Sequence, residues 1–183
     1  PRSTPKPSSA ASDVYKRQVG DHGASLVIAR GELGIESDLR SDCAPLDTLL
    51  LPILEKFKDK VHWMRDPTRG GLATVLNEAA RSRGLDLLLY EREIPIKEEV
   101  GALCEMLGFD PLYLANEGKA VIITDEKIGG EIIEDLKLHP LGKDARIVGV
   151  VTEGEQGRLF LKTSSGGTRI LDSLIEDQLP RIC

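Results

Sequence analysis

Apolar residues recur with helical spacing in some stretches and gather into short runs in others. From Asp21 the run HGASLVIAR reads as a short apolar helix opening directly after Gly20, with Asp21 placed to cap it. Leu46, Leu49, Leu50, Ile53, Leu54 and Phe57 recur three and four apart behind Pro45, which a first helical turn tolerates. Pro52 should kink that helix or interrupt its hydrogen bonding. Residues 61–64 form a short strand candidate; Leu72, Val75, Leu76 and Ala79 then mark a helix face that closes at Gly84. Residues 85–90 read as a buried strand. Residues 97–107 read as a helix whose stripe carries Val100, Leu103, Cys104 and Leu107, which makes Cys104 a core residue. Residues 111–115 and 120–124 read as strands flanking a turn at Asn116-Glu117-Gly118-Lys119. A helix near 128–138, strands at 145–151 and 158–162, and a hairpin-like turn at Gly166-Gly167 complete the pattern. Hairpins mixed with helical crossovers favour the α+β class, with helices packed on one face of a mixed sheet.

Residues 1–18 (PRSTPKPSSAASDVYKRQ) show no hydrophobic period, and the composition changes at Val19, so this segment is expected to stay outside the fold. It reads as a disordered or foreign extension; no amphipathic stripe accompanies its Arg and Ser residues, which disfavours a transit peptide. The expected organisation is therefore an extension over 1–18, one α+β domain over 19–176 and a flexible tail over 177–183. With 183 residues the chain is long enough to bury a real core, and seven aromatics among 40% hydrophobic residues make that core aliphatic. A net charge of −6 without a basic, aromatic-interleaved cluster disfavours a nucleic acid partner. No apolar run approaches the ~18 residues that span a bilayer, so no membrane is expected and the default location is cytoplasmic. Cys43, Cys104 and Cys183 stand at spacings that spell neither a disulfide framework nor a zinc site, and no metal ligands are assigned.

Several short segments carry chemistry. Arg65-Asp66-Pro67-Thr68-Arg69-Gly70-Gly71-Leu72 joins a strand to a helix, and unpaired N–H groups at a helix start, approached over glycines, suit a phosphate. Arg69 can add a bidentate grip, and Asp66 can hold a cation or a ribose-like hydroxyl. The plainer alternative is a tight turn with Asp66 or Thr68 capping the helix. Gly20-Asp21-His22-Gly23 repeats this logic more weakly, with His22 as ligand, acid/base group or packing residue. Glu117 is either an exposed turn residue or a general base tuned by a cleft. His62 and His139 receive no role. The chain ends in Cys183, where a thiol can carry cargo between sites without unfolding anything; alone, it is as easily incidental.

Together, GDHG at 20–23, SDCAPL at 41–46, MRDPTRGGLATVLNE at 64–78, DPLYLANEGK at 110–119, HPLGKDA at 139–145 and QLPRIC at 178–183 resemble the HypE family of hydrogenase maturation factors. That family sits in the superfamily of ATP-using enzymes related to aminoimidazole ribonucleotide synthetase, and the match runs in order from about Val19 to the end. The resemblance implies the fold of that superfamily's C-terminal domain and the activity of a carbamoyl dehydratase. It implies that Cys183 receives a carbamoyl group from HypF, that ATP phosphorylates the thiocarbamate oxygen, and that loss of phosphate leaves a thiocyanate. The cyanide then passes to iron held by HypC and HypD. Glu117 would be the base, and Asp66, Thr68, Arg69, Gly70 and Gly71, with Asp21 and His22, would lie near the nucleotide.

Full-length members have a preceding domain of similar size that supplies most of the Mg-ATP ligands and the homodimer surface, so this chain alone is expected to be inactive. Residues 177–183, extended at ~3.3–3.6 Å each, would span roughly 20–25 Å, enough for the thiol to swing inward or outward. Rival expectations are another superfamily enzyme, of the thiamine monophosphate kinase or selenophosphate synthetase type, and a non-catalytic docking fragment. The enzyme rival does not need a terminal cysteine, and the docking fragment would bind HypF or HypC and HypD through its tail.

Overall fold

The computed structural model describes residues 11–15, 18–30 and 37–174. Cys183 and the 177–183 tail lie outside the described residues. A seven-stranded mixed sheet organises the domain, in the order β2-β4-β1-β5-β3-β6-β7. Its strands are β1 (Ala11–Tyr15), β2 (Val61–Arg65), β3 (Asp86–Tyr90), β4 (Val121–Asp125), β5 (Arg146–Thr152), β6 (Leu159–Lys162) and β7 (Thr168–Leu171). Only β3 and β6 pair in parallel; the other neighbours are antiparallel. Among the described residues five α-helices accompany them: α1 (Asp21–Ala29), α2 (Asp47–Phe57), α3 (Gly71–Arg83), α4 (Glu98–Leu107) and α5 (Glu126–Lys137).

The α+β class holds, while the arrangement of helices differs from a single layer. Leu72, Ala73, Leu76, Ala79 and Ala80 of α3 pack on Leu87, Leu89, Leu159, Leu161, Val121 and Ile123. Ile122, which alternation turns to the opposite face of β4, instead meets Leu49, Ile53 and Phe57 of α2 and Ile132, Ile133 and Leu136 of α5. Helices therefore cover both faces at the β2–β4 end. A third cluster joins Ala24 of α1 to Val100, Leu103 and Cys104 of α4 and to Leu114, so Cys104 is a core thiol, which burial pushes up to about 11.

Two further expectations need correction. Residues 11–15, assigned above to an extension outside the fold, form β1, pairing Ala11–Tyr15 with β4 on one side and β5 on the other. A slot between two strands leaves backbone N–H and C=O groups to be satisfied on both flanks, and backbone pairing there overrides a weak side-chain pattern. Residues 111–115 are not a strand. Pro111–Tyr113 is a 3-10 turn, with the Asp110 carboxylate accepting from the Leu112 N–H at 3.0 Å. Leu112 and Leu114 are buried as a strand's apolar residues would be, but Pro111 and the Asp110 cap set the turn. Consequently Asn116–Lys119 is no hairpin turn; it leads out of this 3-10 turn into β4. Pro52 costs α2 one hydrogen bond on its exposed side and does not end it.

Candidate functional site at four converging loops

Asn116 is the knot of the site. Its side chain is fully buried, its Oδ1 accepts the Gly20 N–H at 2.7 Å, and its Nδ2 donates to the Leu114 carbonyl at 2.7 Å. Its own N–H donates to the Pro67 carbonyl at 3.1 Å, while the Gly23 N–H donates to the Ala115 carbonyl at 3.0 Å. The loops at 20–23, 66–71 and 116–119 are thereby tied together. The fourth segment, 41–46, joins through Lys119, whose Nζ lies 2.5 Å from Asp42 Oδ2, and through His22, whose Nδ1 is 2.8 Å from Ser41 Oγ.

Within this frame Gly20, with φ +85°, occupies the N-cap of α1 and Asp21 is its first helical residue; the expected Asp21 cap is not made. Asp21 is buried, and Lys97 Nζ sits 2.9 Å from its Oδ2. Burial raises its pKa above the usual carboxylate range, with Lys97 partly opposing the shift. At the second loop, Gly70 caps α3 with φ +67° and no side-chain cap hydrogen bond, so neither Asp66 nor Thr68 caps the helix. Asp66 and Arg69 are exposed and Thr68 is half-buried. Gly71, with φ +66°, lies against the 112–114 backbone, where an added Cβ would stand 2.6 Å from the Leu114 carbonyl. Glu117 is half-buried and makes no hydrogen bond among the described residues.

These features fit the phosphate end of a nucleotide. The first-turn N–H groups of α3 have no side-chain cap and the exposed Arg69 supplies positive charge, while Gly70 and Gly71 turn their missing side chains toward Thr74 and the 112–114 backbone. Among the described residues no group of three His, Cys, Asp or Glu side chains is arranged to hold a metal ion. The sequence reading missed Asn116 as a tie and the Asp42–Lys119 and Asp21–Lys97 pairs. Asp42 and Lys119 lie 77 positions apart, so no local spacing could have paired them.

The chain's exit from the sheet is fixed beside the same site. The Tyr113 hydroxyl donates to the Asp172 carbonyl at 2.7 Å, Asn77 Nδ2 donates to the Leu171 carbonyl at 2.8 Å, and Arg169 pairs with Asp110 at 2.6 Å.

Residues 12–162 match the family of AIR synthase related proteins, C-terminal domain. The chain belongs to that family. It is 43% identical over 165 residues to the carbamoyl dehydratase HypE of Azotobacter vinelandii, covering 90% of this chain and 48% of that protein. A solved HypE–HypF complex aligns with TM-score 0.84 and 36% identity over 93% of this chain and 54% of the solved one. HypE in complex with ATP aligns with TM-score 0.84 and 34% identity over 92% and 52%. The chain thus spans about half the length of the curated relatives it matches and corresponds to a C-terminal part of HypE. Among the described residues no helix is long and apolar enough to cross a membrane.

Proposed function

We propose that this domain is part of an ATP-dependent carbamoyl dehydratase of HypE type that works on its own terminal cysteine in the cytoplasm. The observation that carries the proposal is the convergence of the four motif loops on the segment 116–119, which carries Glu117, in a chain 43% identical to a carbamoyl dehydratase. Cys183 takes a carbamoyl group from HypF as a thiocarbamate, and the carbonyl oxygen then attacks the γ-phosphorus of ATP. ADP leaves, one N–H proton is lost, and an O-phosphorylated imidate results. Glu117 removes the remaining N–H proton, the C–O bond breaks, phosphate departs and S–C≡N remains. Phosphorylation matters because an amide oxygen is a poor leaving group.

The anchored root of the tail supports this route. Tyr113 holds Asp172 and precedes Glu117 by only four residues. The eleven residues that follow Asp172 could span at most roughly 36–40 Å at ~3.3–3.6 Å each, ample for the thiol to come back to Glu117 or reach a partner. Gly70, Gly71, Thr68 and Arg69 would hold the nucleotide phosphates, with Asp21 and His22 behind them. Magnesium would travel with the nucleotide, Asp66 being the only carboxylate this loop offers it. HypC and HypD would receive the cyanide, and the full-length protein would act as a homodimer.

Mass spectrometry on a full-length protein carrying this domain, incubated with HypF, carbamoyl phosphate and ATP, should show a carbamoyl adduct at Cys183 that then loses one water. An unmodified wild type, or an adduct that survives Cys183→Ala, would refute the assignment.

A further inference from the structure

Glu117 stands between two of the most deeply buried polar side chains in the domain, Asn116 at 0% and Lys119 at 1% exposure. A lysine is rarely buried so completely, because its ammonium gives up its hydration and needs an anionic partner in good geometry. Asp42 supplies it at 2.5 Å. The same segment presses on the intervening glycine: a Cβ on Gly118 would stand 2.5 Å from the Asp42 carbonyl oxygen and 2.7 Å from the Ala44 nitrogen. Only glycine, with φ +61° there, allows this approach.

Holding two loops together does not require a buried ion pair, since an apolar pair of similar volume is often as stable or more so. An apolar contact tolerates sliding, whereas a short charge-assisted hydrogen bond fixes one loop's register on the other. That register is what a general base needs, because its carboxylate must meet the N–H proton within hydrogen-bond reach.

We infer that Lys119 and Asp42 are a positioning pair that holds Glu117 in register for proton removal from the phosphorylated cargo. This rests on the reading of Glu117 as the base. Neither residue touches the cargo; each acts through the backbone at 117–118.

The test uses full-length protein with HypF, carbamoyl phosphate and ATP, and compares wild type with Lys119→Met and with Asp42→Asn/Lys119→Met. Wild-type loss of water from the Cys183 adduct is required first, and its failure would count against the proposed function rather than this pair. A misplacement of about 1 Å costs on the order of 100-fold in rate, so Lys119→Met should lower the dehydration rate about 100-fold. The KM for ATP and the rate of carbamoylation should stay near wild type. Taking the ratio of dehydration to carbamoylation within one preparation counts only folded protein. The double variant, which removes both charges of the pair, should recover the melting temperature but not this ratio. Recovery of both together, a wild-type ratio in Lys119→Met, or a loss borne by the KM for ATP would overturn the inference.

Discussion

Replacing Asn116 by alanine isolates the tie that joins three of the loops. The substitution removes the acceptor of the Gly20 N–H and the donor to the Leu114 carbonyl, both at 2.7 Å, at a position with no solvent exposure. The third side-chain contact, to the Pro67 carbonyl, is 3.5 Å long and contributes little, and that carbonyl keeps its bond from the Asn116 N–H. Each buried group left without a partner costs about 1–3 kcal/mol, so two give about 2–6 kcal/mol. For a protein of this size a loss of ~3 kcal/mol corresponds to roughly 6–12 °C in Tm. Glu117→Ala, one residue along at a half-buried position without hydrogen bonds among the described residues, should change stability by no more than ~0.5 kcal/mol. Urea unfolding followed by circular dichroism and by the fluorescence of Trp63, the single tryptophan, which packs against the main core, measures both. Asn116→Ala within ~1 kcal/mol of wild type at unchanged m-value, or Glu117→Ala as costly as its neighbour, would refute the reasoning.

Other consequences follow from the same geometry. Asp21 has a folded-state pKa raised by burial above its ordinary 3.8, so its ionised form is disfavoured in the fold and stability falls as pH rises from 3.8 through the raised value. Asp21→Asn should therefore match wild type near pH 3 and equal or exceed it in stability at pH 7; paired urea curves showing the variant weaker at pH 7 than at pH 3, relative to wild type, would contradict the assignment. Gly71→Ala and Gly84→Ala both place a Cβ in left-handed backbone, at φ +66° and +63°, but only at Gly71 does that Cβ meet other atoms. Gly84→Ala should cost about 1–2 kcal/mol, the strain of that conformation alone, and Gly71→Ala clearly more; equal losses in melting experiments would show that the 112–114 backbone does not constrain Gly71.

Most helices and strands were legible because their apolar periods agree with their burial. The α3 stripe from Leu72 to Ala79, closed by a left-handed Gly84, and the buried run of β3 are where the sequence places them. The misreadings share a cause: tertiary context decided them. Residues 11–15 have no period of their own and are held by two neighbouring strands, while 111–115 are apolar enough for a strand but are bent by Pro111 and the Asp110 cap. The site divides the same way. Glycines at a helix start and a carboxylate in a short motif can be picked out locally as candidates, but Asn116 and Lys119 act on partners that only the fold brings near.

Gly71 shows how the two levels meet in one residue. From the sequence, its missing side chain reads as room for a phosphate to approach the α3 amides. In the fold the same absence is needed on the protein side as well, since the 112–114 backbone passes where a Cβ would be. That backbone runs directly into Asn116 and Glu117, and through Tyr113 it holds the root of the tail that ends in Cys183. One close contact at the start of α3 therefore sets the proposed phosphate loop against the backbone that carries the candidate base and, through Tyr113, the root of the tail. A bulkier residue at position 71 would have to move all three together, so it should lower nucleotide affinity and dehydration alike.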